Sequence, residues 1–212
     1  MTKIAVVGLG YVGITTAVGM AQLGHDVIGF DIDKVKIDTL FAAKAPIHEA
    51  GLEEALASLL KTRRLKFTND LKEVSTANPE LFFICVPTPQ DESGAANLTY
   101  VLSASRDIAA IAEPSSIVVL KSTVPVGSGE RVRRALSRID LHVASNPEFL
   151  REGTALQDFM NPDRIVVGSS DPEVSARVLD LYSELDSKKI STSVESAAVS
   201  YTHLTLPTNR EV

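Results

Sequence analysis

The sequence predicts an α/β fold, a doubly wound and mostly parallel sheet with helices on both faces. Three observations predict it. Short β-branched runs alternate with helix-like stretches along the 212 residues. The runs are apolar throughout instead of alternating with polar residues, which marks strands covered on both faces. A glycine-rich turn joins the first strand to the first helix, at the carboxyl end of a strand, where open α/β sheets take their ligands.

The elements follow in order. "KIAVVG" (3–8) is a β-branched strand. "YVGITTAVGMAQLG" (11–24) is a helix closed by Gly24, a residue suited to the left-handed position after a helix. "DVIGFD" (26–31) is the second strand. "DKVKIDTLFAAK" (33–44) is an amphipathic helix with Val35, Leu40 and Phe41 among its apolar positions. After the loop "APIHEAG" comes the helix "LEEALASLLKT" (52–62). Further strands are "LKFT" (65–68), "LFFICV" (81–86), "SIVVLKS" (116–122), "LHVAS" (141–145) and "RIVVGS" (164–169). Helices fall between several of them, at 98–112, 129–137 and 172–185. There is no internal repeat, low-complexity tract or obvious linker before residue 190.

Composition narrows the function classes. The chain is 44% hydrophobic and 23% charged, a globular balance, and suits one good-sized domain with room for part of a second. A net charge of −6 argues against a general nucleic-acid binder, whose affinity comes from clustered lysines and arginines. The single cysteine, Cys85, excludes a disulfide framework within the chain and suits a reducing cytoplasm. His25, His48, His142 and His203 are scattered without metal-ligand spacing, so no metal site is predicted. The uncharged run 4–24 imitates a signal peptide or a membrane span. Five glycines (Gly8, Gly10, Gly13, Gly19, Gly24) and the pair Thr15 and Thr16 make a buried strand, turn and helix the better reading.

The turn "GLGYVG" places Gly8, Gly10 and Gly13 in a G-x-G-x-x-G pattern. Three nearby glycines alone are a weak signal. Here the pattern follows a strand, opens a helix, and is followed by a second strand ending in Asp31, 18 residues after Gly13. This is a Rossmann-type dinucleotide arrangement. Gly8 permits the tight turn, Gly10 lets a diphosphate approach the backbone, and Gly13 lets helix and strand pack closely. The helix start offers free N–H groups and the positive dipole end. Asp31 can accept from the ribose hydroxyls and would repel a 2′-phosphate, so NAD is predicted over NADP. Lys36, one turn into the next helix, can close over that ribose.

Two more polar loops follow strands. "CVPTP" (85–89) runs a rigid path past Thr88, and "KSTVPVG" (121–127) carries Thr123 to the sheet edge with its hydroxyl free. Either loop alone reads as a proline-stiffened turn; three loops converging on one crevice read as a cofactor site. Cys85 has four apolar neighbours before it and no adjacent base or cation, so it reads as a buried small hydrophobe. The stretch "NPEFLREGTALQDFMNPDRIVVG" (146–168) is dense in charge between apolar runs. A solvated loop and a ligand-gripping loop both fit that pattern.

Together "KIAVVGLGYVG", "CVPTP", "KSTVPVG" and above all "NPEFLREGTALQDFMNPDRIVVG" resemble, in order and over residues 1–198, the N-terminal half of the UDP-glucose 6-dehydrogenases of the UDP-glucose/GDP-mannose dehydrogenase family. The resemblance implies oxidation of the C6 hydroxyl of UDP-glucose to a carboxylate, with two NAD⁺ reduced. It implies cofactor contacts through Tyr11 and Val12 in the glycine loop, and through Asp31, Lys36, Thr88, Thr123 and Glu152. Glu148, Phe149, Leu150, Arg151 and Glu152 resemble the substrate loop, and Thr123, Glu148 and Glu152 the catalytic groups. In that light the charged run is the place where nicotinamide meets sugar.

The chain also departs from the family. The connecting helix with a catalytic lysine and asparagine, through which the family's dimers form, is missing. So is the UDP-binding domain with its nucleophilic cysteine, and Cys85 matches a different place in the pattern. Residues 1–198 are therefore expected to form the NAD-binding domain, inactive alone, with an apolar C-terminal edge left uncovered. "VSYTHLTLPTN" resembles the translation of a transposase sequencing adapter, so 199–212 is expected to be a non-native tail. Two alternatives stand: another nucleotide-sugar dehydrogenase, acting on GDP-mannose or UDP-N-acetylmannosamine, and a non-catalytic NAD-binding module.

Overall fold

The computed structural model describes residues 1–91, 95–194 and 196–197. The expected tail from Val199 lies outside the described residues. Eight strands form one sheet: β1 (Lys3–Val7), β2 (Asp26–Phe30), β3 (Leu65–Thr68), β4 (Leu81–Ile84), β5 (Ile117–Leu120), β6 (His142–Ser145), β7 (Arg164–Ser169) and β8 (Lys188–Thr192). Their spatial order is β3-β2-β1-β4-β5-β6-β7-β8. All neighbours run parallel except β6 and β7, where Ala144 faces Ser169 and Ser145 faces Gly168 in antiparallel register. The strand order reverses between β1 and β4, which opens a crevice at their carboxyl ends.

Helices α1 (Tyr11–Gln22), α2 (Lys34–Phe41), α3 (Leu52–Thr62), α4 (Leu71–Ala77), α5 (Thr99–Ile111), α6 (Ser128–Leu136), α7 (Ala155–Met160) and α8 (Pro172–Asp180) cover the two faces. One core gathers Ile4, Val6 and Phe83 with Ile14 of α1, Leu56 of α3, Phe159 of α7 and Val178 of α8. The other gathers Ala5, Val7 and Phe82 with Val74 of α4, Val101 of α5 and Val132 of α6. Adjacent strand residues thus enter opposite cores, as the two-residue period of a strand requires. That is why these strands are apolar at every buried position. Three helix starts carry aspartate caps: Asp33 accepts from the Val35 and Lys36 amides, Asp70 from Lys72, and Asp171 from Glu173 beside Pro172.

The structure corrects the apolar face of α2 and adds three elements, α4, α7 and β8. In α2 the buried face is Ile37 and Leu40; Val35 and Phe41 are exposed, so only Leu40 of the three apolar positions faces the core. Residues 71–77 and 155–160 are helical, where the sequence predicts no element. A last strand, β8, continues the sheet with the sequence KKIST, its two lysines exposed. The expected apolar edge, where the chain passes residue 198, lies outside the described residues.

The antiparallel turn of β7 locates the charged stretch. Residues 146–163 leave the sheet at the carboxyl end of β6 and must return on the same side, because β7 runs back. The stretch is thereby held at the rim where the glycine loop also lies.

Candidate active site

The glycine loop is shaped by steric necessity. Gly8 has φ +91°, and a Cβ there would come within 2.9 Å of the Val86 nitrogen. A Cβ on Gly13 would stand 1.8 Å from the Gly8 carbonyl oxygen. Both positions exclude a side chain. Gly10 is different, since its φ is −74° and nothing lies within 4 Å of where its Cβ would be. The fold does not require glycine there; a ligand approaching the backbone would. Gly10 also caps α1 without any side chain, and the first turn, with Tyr11 and Val12, holds no acid. The amides and the positive end of α1 are left for an anion. These residues fit a dinucleotide.

Asp31 follows β2 beside this loop. Its carboxylate accepts from the Leu9 amide at 2.8 Å, the Asp33 amide at 3.0 Å and the Lys36 ammonium at 2.6 Å. Burial pushes its pKa up, but Lys36 and the two amides outweigh burial and hold the carboxyl below its ordinary 3.8. A charged acceptor therefore stands at the mouth of the loop at neutral pH. Lys36 is its partner, at the same rim.

The two proline turns are stapled together. The Ser122 hydroxyl donates to the Val86 carbonyl at 2.7 Å, and the Thr88 hydroxyl to the Thr123 carbonyl at 2.9 Å. Thr123 is left exposed on the crevice side of that staple, while Thr88 keeps its oxygen lone pairs.

The charged stretch forms the third wall, and it surrounds a cavity of about 480 Å³ lined by Lys121, Glu148, Phe149, Asp163, Arg164 and Tyr182, among others. Lys121 is 4% exposed, with its ammonium 3.3 Å from the Asn146 side-chain oxygen. That oxygen also accepts from the Tyr182 hydroxyl at 2.5 Å, and the Asn146 amide donates to the Val166 carbonyl at 2.9 Å. Glu148 Oε2 is sequestered and has no hydrogen-bond partner among the described residues. Burial pushes the Glu148 carboxyl up to about 7, against the pull of Lys121. Burial in turn draws the Lys121 ammonium below its ordinary value, opposed by Glu148. A carboxyl that titrates near neutrality can take or give a proton under working conditions.

The remaining predicted residues divide by role. The Arg164 guanidinium lies over the Phe149 ring, 4.9 Å from its centre. Leu150 packs against the core. The Arg151 guanidinium is held by Asp158 at 2.7 and 3.1 Å, so its charge is already partnered. Glu152 is exposed, and its charge bears on Tyr11 of the glycine loop. Cys85 is buried, and burial pushes its thiol up to about 12, too high for a nucleophile at neutral pH. The structure thus ties Asp31 and Lys36 to the glycine loop, Thr88 to Thr123, and the 151–153 turn to Tyr11, while Thr123 and Glu148 line one small hollow. Sequence reasoning missed Lys121, Asn146 and Tyr182. A lysine ending an otherwise apolar strand was the available signal for the first; the tyrosine, 36 residues from Asn146, had none. Among the described residues no cluster of three or more His, Cys, Asp or Glu could hold a metal ion, and no helix is long and apolar enough to cross a membrane.

Comparison with known proteins follows the same lines. Residues 2–186 match the family model described as the UDP-glucose/GDP-mannose dehydrogenase family, NAD binding domain. The chain is 46% identical over 180 residues to a UDP-glucose 6-dehydrogenase of Rhizobium meliloti, covering 82% of this chain and 41% of that protein. It is 39% identical over 202 residues to the UDP-glucose 6-dehydrogenase TuaD of Bacillus subtilis, covering 93% of this chain and 44% of that one. Among solved structures, a UDP-glucose dehydrogenase from Pyrobaculum islandicum superposes with a TM-score of 0.89 at 41% identity, covering 96% of this chain and 49% of that one. A GDP-mannose dehydrogenase from Pseudomonas aeruginosa gives 0.86 at 36% identity, with coverages of 95% and 49%. The chain spans less than half the length of these curated relatives.

Proposed function

The chain belongs to the UDP-glucose/GDP-mannose dehydrogenase family as its NAD-binding domain, and on that premise we propose that it is the N-terminal half of an enzyme that oxidises UDP-glucose to UDP-glucuronate in two NAD-dependent steps. The observation that carries this reading is the seating of Glu148, a sequestered carboxyl titrating near 7, in a cavity at the rim that also bears the glycine loop. UDP-glucose is preferred over GDP-mannose because identity is higher to UDP-glucose dehydrogenases, at 46% and 41%, than to the GDP-mannose enzyme, at 36%.

In this reading the amides of Gly10, Tyr11, Val12 and Gly13 hold the diphosphate, with Gly8 making the turn. Asp31 and Lys36 hold the ribose, and Thr88, Thr123 and Glu152 border the nicotinamide. NAD⁺ supplies the hydride acceptor when bound. Phe149, Leu150 and Arg151 shape the sugar end of the cavity, with Arg151 acting through its backbone because Asp158 holds its side chain. Glu148, as the carboxylate, receives the proton leaving the sugar hydroxyl, and Lys121 steadies that carboxylate before the transfer. Thr123 and Glu152 assist by positioning water and the reacting carbon.

The 212-residue chain binds NAD and does not complete the oxidation alone, because its only cysteine is buried and protonated. Residues 1–198 are the domain proper, and 199–212 are foreign to it. The longer enzyme acts as a cytoplasmic homodimer without nucleic-acid or membrane partners. The test is an assay of the full-length protein with NAD⁺ and, separately, UDP-glucose, GDP-mannose and UDP-N-acetylmannosamine. Two NADH per UDP-glucose consumed supports the proposal. Turnover of another sugar nucleotide moves the assignment within the family, and NAD⁺ binding without turnover supports a binding module.

A further inference from the structure

Glu49 lies in the loop between α2 and α3, far in sequence from either wall of the crevice, yet it joins them. Glu49 as a whole is 8% exposed. One oxygen, Oε1, accepts from the Tyr11 hydroxyl and from the Gly153 amide, the latter at 2.6 Å. The other, Oε2, accepts from the Ala155 amide at 2.9 Å. The Tyr11 hydroxyl also lies 3.0 Å from the Arg151 carbonyl and 3.0 Å from the Gly153 nitrogen.

These contacts share a geometry. Tyr11 is the first residue of α1, directly after Gly10, where a diphosphate would approach. Arg151 and Gly153 flank Glu152, and Gly153 turns the chain with φ +90°. A buried carboxylate is costly unless its oxygens are bonded, and here the three donors, Tyr11, Gly153 and Ala155, belong to the two walls. Burial, and then Glu49, push the Tyr11 hydroxyl up to about 12, so it stays a proton donor at neutral pH.

We propose that Glu49, through Tyr11, is a positioning residue that ties the Glu152 turn to the glycine loop, so that dinucleotide binding and ordering of that turn are coupled. Any adjustment of the first turn of α1 to a ligand moves the Tyr11 hydroxyl, and Glu49 transmits it to the Gly153 and Ala155 amides. The inference rests on the glycine loop being the dinucleotide site.

The test is amide hydrogen exchange on the 212-residue chain, with and without saturating NAD⁺, in the unaltered protein and in Glu49→Gln, Glu49→Asp and Tyr11→Phe. In the unaltered chain NAD⁺ slows exchange both at 8–14 and at 148–156. In Glu49→Gln the protection at 8–14 persists, while that at 148–156 falls by about tenfold, the equivalent of one lost hydrogen bond. Tyr11→Phe loosens 148–156 in the same direction. If Glu49→Gln does not fold, Glu49→Asp keeps the charge but is too short to span both walls, and shows the same loss. Equal protection of 148–156 in the variants and the unaltered chain overturns the coupling. Protection of 8–14 alone in the unaltered chain overturns it while the dinucleotide reading stands. Protection of neither segment overturns both.

Discussion

The Lys36 ammonium sits 2.6 Å from the Asp31 carboxylate, and that carboxylate also collects the amides of Leu9 and Asp33. One side chain therefore fixes the glycine loop, the start of α2 and the charge at the crevice mouth. Replacing Asp31 by Ser is expected to weaken NAD⁺ binding about tenfold or more, the effect of losing a charged hydrogen bond of roughly 1.5–3 kcal/mol. The same change should narrow the preference for NAD⁺ over NADP⁺, since the repelling charge is gone. Parallel calorimetric titrations with both dinucleotides check it.

The same pair makes an acid-stability prediction. Asp31 titrates below its ordinary 3.8 in the folded chain. Its contribution is therefore fully present above that ordinary value and is lost as pH falls through the lower folded value. Lys36→Met should remove part of this, lowering stability at neutral pH by about 1 kcal/mol and flattening the acid limb. Urea titrations across the acid range measure both effects.

Gly13 and Gly10 should separate folding from binding. Gly13→Ala forces a Cβ to 1.8 Å from a backbone oxygen, so it should cost about 3 kcal/mol or more. Gly10→Ala meets nothing within 4 Å and has an ordinary φ, so its stability should stay within about 1 kcal/mol of the parent. Its NAD⁺ affinity should nevertheless fall by about tenfold or more, because the methyl occupies the approach to the helix start. Thermal melts with and without NAD⁺ distinguish the two.

Glu148 predicts the opposite pH behaviour to Asp31. Unfolded, it loses its proton near 4.5; folded, it holds the proton to about 7. Between those values the folded state binds more protons, so stability falls as pH rises and levels off above 7. The decline amounts to about 3 kcal/mol. Glu148→Gln should abolish it and exceed the parent in stability above neutrality. Lys121→Met, by removing the facing ammonium, should raise the Glu148 value further, readable by carbon NMR of the glutamate carboxyls.

How much of this could be read from residues alone depends on how each feature is encoded. The strands ending at Val7, Phe30, Ile84 and Leu120 are legible because burial on both faces leaves no polar position beyond the leading Lys3 and Asp26. The glycine loop is legible because Gly8 and Gly13 answer to local sterics. The reversal of β7 is not, because "RIVVG" is equally apolar in either direction. The edge strand β8 is hidden by Lys188 and Lys189, which suit an exposed edge and not a buried run. Helix α4 buries only Val74, and α7 spans six residues inside the charged stretch, so neither shows a helical period. Glu148 was visible within its motif; its isolation beside Lys121 was not, because that depends on burial and not on spacing. Glu49 is invisible for a similar reason, since its partners lie 38 and 104 residues away.

The most direct test of the account is an NMR titration of the 212-residue chain with NAD⁺, following backbone amides. The account predicts saturable shifts at Leu9 to Gly13, at Asp31, and at Thr123, with much weaker response to NADP⁺. Unchanged amides in the glycine loop at saturating NAD⁺ would contradict it, for then the loop, its open Gly10 and its paired Asp31 would be a turn and nothing more.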